Sequence, residues 1–198
     1  AAPTASLLDS SAFSSDAGWG CMIRTGQSLL ANALLTLNEC RTPQQSEAAI
    51  NILRQFSDEP EAPFSIHRFV EHGSAKCGKL PGQWFGPSAV AQCISEFLKD
   101  PQLGGNTRQG DLRLPNCYIS TGQDVHLQDM NPEYPMLILC GIRLGLDSLN
   151  PIYLPGLKHL LECKQSVGIA GGRTSASLYF YGYPVSYTHL TLPTTERV

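Results

Sequence analysis

The stretch SDAGWGCMIRTGQSLLANALL, from Ser15 to Leu35, constrains the chain most, because it places a cysteine where a glycine-rich turn becomes an amphipathic helix. Gly18, Trp19 and Gly20 interrupt helical propensity. Ile23, Leu30, Ala33, Leu34 and Leu37 then recur at steps of three and four and mark one inward face. The pattern predicts a helix over residues 22–37 with Cys21 at its entrance. Helix entrances carry unpaired amides and the positive end of the backbone dipole, which favour the reactive thiolate. A small buried thiol is the competing explanation, since free cysteine is among the most buried residue types.

A chain of 198 residues with 42% apolar and 16% charged residues can bury a core as one domain or one large lobe. Its net charge of -3 and scattered Lys and Arg give no basic stripe, so nucleic-acid and anionic-membrane binding are not expected. Small folded partners or peptides fit better. The seven cysteines are odd in number and irregular in spacing, with no CxxC pair and no Cys/His set at zinc-finger spacing. No disulfide framework, metal or cofactor is expected. The opening AAPTASLLDSS lacks a signal-peptide layout and no run is long enough to span a membrane, so a soluble, cytoplasmic protein is expected. A first residue other than methionine leads to the expectation of a fragment.

Along the chain, residues 1–17 read as a loose leader. After the first helix, Ser46 can cap a second one through Phe56, with Ile50, Leu53 and Phe56 inward. Ser65 can cap a third, with Ile66, Phe69 and Val70 inward and Gly73 at its end. Pro87 suits the first turn of a fourth, whose inner face is Val90, Ile94, Phe97 and Leu98. Residues 101–114 are turn-rich and expected to be mobile. The run MLILCGIRLG is short enough for a buried strand, and a helix is expected around residues 152–162. Residues 166–170 and 177–183 read as two strands joined by GGRTSA. Helices first and strands later argue for an α+β class.

Three segments in this order then carry a resemblance: SDAGWGCMIRTGQSLLANAL, GQWFGPSAVAQCI, and IRLGLDSLNPIYLPGLKHLL followed by QSVGIAGGRTSASLYFYGY. Together they resemble the autophagins, the autophagy-related cysteine endopeptidases, over residues 14–183. The resemblance implies a papain-like α+β protease domain over residues 18–183. It also implies a substrate, a ubiquitin-like autophagy modifier cut after a glycine and released from its phosphatidylethanolamine conjugate. It puts the nucleophile on Cys21 and the cleft-covering tryptophan on Trp84. Modifier contacts fall on Arg143 and Leu146, and a mobile regulatory loop falls on Arg173, Thr174, Ser175 and Ala176.

Residue chemistry accords with these roles without requiring them. A flat indole between Gly82 and Gly86 can roof a narrow glycine channel, or simply be a core aromatic at a helix start. Arg143 can grip a carboxylate, or be a solvated charge at a strand end. The glycines at 168, 171 and 172 suit a moving loop and equally an ordinary hairpin.

Acyl transfer by cysteine also needs a base and a group that orients it. Autophagins supply both from an Asp-Pro-His motif one strand after the Tyr-Phe-x-Gly-Tyr segment. Here that place reads PVSYTHLTLPTTERV, and no Asp-Pro-His occurs in the chain. His189 is the nearest substitute, but Tyr187 stands two residues before it where aspartate is needed. His67, His72, His126 and His159 read as surface or half-buried residues. Residues 184–198 are therefore expected to be a tail foreign to the family, and the domain to be incomplete at both ends. No tyrosine precedes Cys21 to serve as the oxyanion donor that the resemblance implies. An inactive chain, or a non-catalytic module that binds the modifier, is the corresponding expectation.

Overall fold

The protein is described from a computed structural model over residues 15–40, 47–100, 112–120, 124–145 and 148–182. Four helices come first: α1 (Cys21–Leu37), α2 (Glu47–Arg54), α3 (Ile66–Lys76) and α4 (Pro87–Lys99). Strands β1 (Asn116–Ser120) and β2 (Met136–Cys140) follow, with a short 3-10 turn at Leu127–Asp129 between them. A second 3-10 turn, Pro151–Tyr153, runs into α5 (Leu154–Glu162) and then the hairpin of β3 (Ile169–Arg173) and β4 (Ala176–Phe180). The α+β expectation holds in this order of elements.

Helix α1 is the axis of the molecule. Ile23, Leu30 and Leu34 are fully buried on the expected face, but Met22, Thr25, Gly26, Gln27 and Leu29 are buried as well. The helix is therefore enclosed on most of its circumference, by α2, α3 and α4 and by the β3–β4 hairpin. Each of the three large aliphatic residues contributes about 1.5–3 kcal/mol by leaving water. Gln27 is tolerated in this setting because its Nε2 donates to the Phe64 carbonyl at 2.7 Å.

Helix α2 differs from expectation in its facing. Ala49 and Ile52 are buried, whereas Ile50 and Leu53 are 45% and 44% exposed. The sequence EAAINILR is apolar around much of its circumference, so periodicity leaves the phase open and packing selects the side on which a small alanine allows close approach. Phe56 lies beyond the helix and packs on Phe64 with ring centroids 5.0 Å apart.

Helix α3 begins as expected, with the Ser65 hydroxyl accepting from the Arg68 amide at 3.3 Å. It does not end at Gly73 but continues to Lys76. Gly73 is instead a packing residue: a Cβ there would sit 2.2 Å from Cε1 of the fully buried Phe85. The apolar face of α4 is as expected, with Cys93 also fully buried within it.

Strands β1 and β2 pair in parallel, with Asn116 opposite Met136 and Ser120 opposite Cys140. The expectation of a buried strand is only partly met, because Leu137 is buried while Ile138 is 42% exposed and Cys140 is exposed. This is a two-stranded sheet with one face on α4, so its outward residues remain in solvent. The β3–β4 pairing is antiparallel, with Ile169 opposite Phe180 and Arg173 opposite Ala176. GGRTSA is thus not a loop: glycines 171 and 172 and Arg173 lie in β3, Ala176 lies in β4, and only Thr174 and Ser175 form the turn. The strands also start and stop elsewhere than at residues 166–170 and 177–183, because this pairing extends β3 through the glycines.

Two glycine substitutions test this packing. Gly73→Ala is expected to lower stability by about 1–3 kcal/mol, because the buried Phe85 ring has little room to yield. Gly156→Ala in α5, where an added Cβ meets nothing within 4 Å, is expected to raise it by about 0.5–1 kcal/mol. Urea denaturation of both variants measures the difference, and equal effects of the same sign would remove the packing argument.

Candidate active site

The approach to Cys21 is a tight turn built on Asp16. The Trp19 and Gly20 amides donate to the Asp16 carbonyl at 3.2 and 2.8 Å. Trp19 is buried, and its indole Nε1 donates to the Ser15 carbonyl at 3.2 Å. A Cβ on Gly20 would stand 2.6 Å from the Asp16 side chain, so only glycine lets this turn close. Arg24, one turn into α1, donates from Nε to Asp16 at 2.9 Å and through a second nitrogen to Asp58 at 2.9 Å. The hydrogen bond from Arg24 holds the Asp58 carboxyl below its ordinary value. A charged tether thus joins the turn before the helix to the segment after α2.

Cys21 is the first residue of α1, behind a Gly20 N-cap that offers no capping side chain. The first-turn amides keep their capacity to stabilise a negative charge beside the sulfur. Cys21 is half-buried, and its carbonyl accepts from the Thr25 hydroxyl at 2.7 Å. Its thiol donates to the Ser177 hydroxyl at 3.4 Å, a contact that spans 156 positions of sequence. A second bond joins the same two regions, because the Ser175 hydroxyl donates to the Gly18 carbonyl at 2.6 Å. Ser175 sits at a φ of +62°, a left-handed conformation in the hairpin turn. The β3–β4 hairpin therefore lies directly over the Cys21 entrance, and its root is held by Asn32 Nδ2, which donates to the Val167 carbonyl at 3.1 Å.

A profile of the peptidase C54 catalytic domain matches residues 4–192. The chain belongs to the peptidase C54 family. It is similar to the probable cysteine protease atg4 of Botryotinia fuckeliana, 50% identical over an alignment of 188 positions that covers 89% of this chain and 41% of that protein. The counterpart from Sclerotinia sclerotiorum is 50% identical over 182 residues, covering 89% and 41%. That from Coccidioides immitis is 48% identical over 191 residues, covering 91% and 42%. The chain spans about two fifths of the length of these relatives. Membership gives it the α+β, papain-like fold of a cysteine protease family.

The remaining residues singled out in the sequence fall as follows. Trp84 is half-buried at the edge of the core, beside Gly86. Its indole Nε1 is buried and has no hydrogen-bond partner among the described residues. Arg143 follows β2 in an exposed, irregular stretch, and its Nε donates to the Gly145 carbonyl at 3.4 Å. Leu146 and His189 lie outside the described residues. Arg173 and Ala176 are opposite each other at the ends of the hairpin strands, and Thr174 and Ser175 turn between them. Hydrogen bonds thus join the hairpin, through Ser175 and Ser177, to the Cys21 turn, whereas among the described residues none links Trp84 or Arg143 to it. The described histidines are engaged elsewhere. His67 Nε2 faces the Asp58 carbonyl at 3.0 Å, His72 packs on Phe97, and His126 and His159 are exposed.

No sequence motif marks Ser177. The signal was the alternation along β4, where Ser177 and Tyr179 share the half-buried side and Leu178 points outward. Tyr179, on the same face, bonds through its hydroxyl to the Val167 carbonyl, so this side of the strand is the one that meets α1.

Thiol reactivity tests the setting of Cys21. Burial, with the Cys77 thiol alongside, pushes the Cys93 thiol far up, and burial pushes Cys117 up to about 11. A raised value means that the thiolate is scarce below it, so Cys117 should alkylate appreciably only as the pH climbs toward that value. Iodoacetamide mapping of the folded chain at near-neutral pH should label Cys21 first and leave Cys93 and Cys117 last. Faster labelling of Cys93 or Cys140 would contradict the helix-entrance argument.

Proposed function

We propose that this chain is the nucleophile-bearing part of a cytoplasmic cysteine endopeptidase of autophagy. The enzyme cuts the C-terminal tail of a ubiquitin-like modifier after a glycine and releases that modifier from its phosphatidylethanolamine conjugate. The observation that carries this reading is Cys21 at the uncapped start of α1, facing a hairpin that covers its approach. A thiol at a helix start can attack a carbonyl carbon while the amides of the first helical residues stabilise the developing negative charge. The names of the relatives, probable cysteine proteases atg4, support the same chemistry. No described helix is long and apolar enough to cross a membrane, so contact with a lipid conjugate would be peripheral.

In this reading Trp84 roofs the channel for the terminal glycine, Arg143 and Leu146 contact the modifier, and residues 173–176 gate the entrance. The bond from Ser175 to Gly18 supports the gate, because the substrate tail must displace the hairpin turn or slip beneath it. Residues 18–183 are read as the core of the protease domain, and the match to the family profile over residues 4–192 runs into both flanking stretches.

The chain as printed carries out at most the first half of the reaction. Attack by the sulfur generates a tetrahedral intermediate whose amine leaves only if it receives a proton. With no Asp-Pro-His in the sequence and Ser177 as the partner of the thiol, that proton has no evident source and the intermediate reverts. The Ser177 contact favours a second reading, a fragment that binds the modifier without turnover.

Release of a tag fused after the terminal glycine of the modifier separates these outcomes. The chain as printed should give release near background. Replacing residues 184–198 with a strand carrying Asp-Pro-His should raise it, and adding the upstream tyrosine should raise it further, by on the order of a hundredfold. Efficient release by the unaltered chain, abolished by both Cys21→Ala and His189→Ala, would overturn the incomplete-site account. Binding is checked by calorimetry: Arg143→Glu should weaken capture of the modifier, because charge reversal places repulsion where a carboxylate is expected. Unchanged binding with the fold intact would remove Arg143 from the interface.

A further inference from the structure

Away from Cys21, α3 and α4 bring together three side chains that no sequence spacing connects. His72 lies in α3, Cys77 is the residue that caps its C-terminus, and Cys93 lies in the middle of α4. One ring nitrogen of His72 and the sulfurs of Cys77 and Cys93 all lie within 4.8 Å of one another. In a tetrahedral zinc site, with bonds of about 2.3 Å to sulfur and 2.0–2.1 Å to nitrogen, neighbouring ligand atoms are about 3.5–3.8 Å apart. Closing the cluster on an ion therefore requires shifts of about an ångström or less. We propose that His72, Cys77 and Cys93 form a zinc-binding clip that fixes the base of the segment carrying Trp84.

The local structure is prepared for such a clip. The Cys77 and Lys79 amides both donate to the Gly73 carbonyl, at 3.0 and 2.9 Å, and Gly78 turns the chain at a φ of +61°. That cap pins the backbone of Cys77 at the end of α3. Cys93 is fully buried, with its sulfur 3.9 Å from the Phe69 carbonyl, and the His72 ring is placed edge-on to Phe97 with centroids 5.8 Å apart. The side chain of the exposed Gln92 completes the surroundings, because its Oε1 lies 3.4 Å from the Cys77 sulfur. Its carbonyl oxygen, or a water from the exposed side, supplies the fourth ligand.

The ligand set selects the ion by softness. Two sulfurs and an imidazole suit zinc and disfavour magnesium or calcium, which require oxygen. On binding, each thiol gives up its proton to solvent and the neutral imidazole contributes a lone pair. Two protons are released per ion, nothing is oxidised or reduced, and two thiolates balance the dication. Charge neutrality is what permits a fully buried sulfur such as Cys93 to ionise. Cys77 and Cys93 flank residues 78–92, so the ion would close that stretch, Trp84 included, against the two helices.

The test uses the whole chain, freed of metal and kept reduced, with zinc alone titrated against a chromophoric chelator and cobalt alone as a spectroscopic substitute. One equivalent should bind, and the cobalt form should show sulfur-to-metal charge-transfer absorption. His72→Gln and Cys77→Ser alter half-buried positions and should each weaken zinc by at least about tenfold with the helical signal retained. Cys21→Ser and Cys163→Ser should leave binding unchanged, and zinc should raise the melting temperature of the parent but of neither ligand variant. The proposal fails if no equivalent is taken up, if both ligand variants bind like the parent, if uptake follows Cys21, or if Cys77 and Cys93 form a disulfide in place of taking up the ion under these conditions.

Discussion

The enclosure of α1 is the constraint from which the rest of this structure follows. A helix buried on most of its sides can offer chemistry to solvent only at an end, and its N-terminal end is where Cys21 sits. The elements that bury it also determine what surrounds that end. The β3–β4 hairpin packs along α1 and reaches over the entrance with Ser175 and Ser177, while Arg24 ties the entrance turn to the segment after α2. Core packing and the setting of Cys21 are thus one arrangement. Ile23, two residues from the sulfur, is among the most deeply buried side chains in the protein.

Much of this was legible in the sequence, for identifiable reasons. The start of α1, the Ser65 cap and the inner face of α4 rest on local rules with one dominant solution, and they stand as expected. The facing of α2 was misjudged because its residues are apolar on several sides, and only a neighbour can choose among them. Glycine usually breaks helices, so local pattern puts a helix end at Gly73, whereas the residue makes room for Phe85, a contact that no local pattern encodes. β1 was not anticipated, because a parallel partner twenty positions away leaves no hairpin signal. The thiol of Cys21 was read from the helix start, but its bond to Ser177 across the chain was not. The same limit hid the cluster of His72, Cys77 and Cys93, which exists only because α3 and α4 pack side by side.

The functional reading divides along the same line. What local chemistry supplies, a sulfur at a helix start, is present in the described residues. What long-range assembly supplies, a base and its orienting carboxylate, has no counterpart among the described histidines, each of which is engaged or exposed elsewhere. On the reading proposed above, such a cysteine forms a bond to a carbonyl or an electrophile but has no proton donor for the departing amine among the described residues. Under that proposal nucleophilicity and turnover are separable in this chain, with Cys21 supplying the first.

That separation can be measured directly with a ubiquitin-like autophagy modifier carrying an electrophile in place of the bond after its terminal glycine. Trapping requires the sulfur to attack and requires no leaving amine, so it reports the nucleophile alone. A single covalent adduct is expected on the folded chain, mapped by mass spectrometry to Cys21 and abolished by Cys21→Ala. Absence of an adduct on the folded protein, or an adduct on a different cysteine, would contradict the assignment of Cys21.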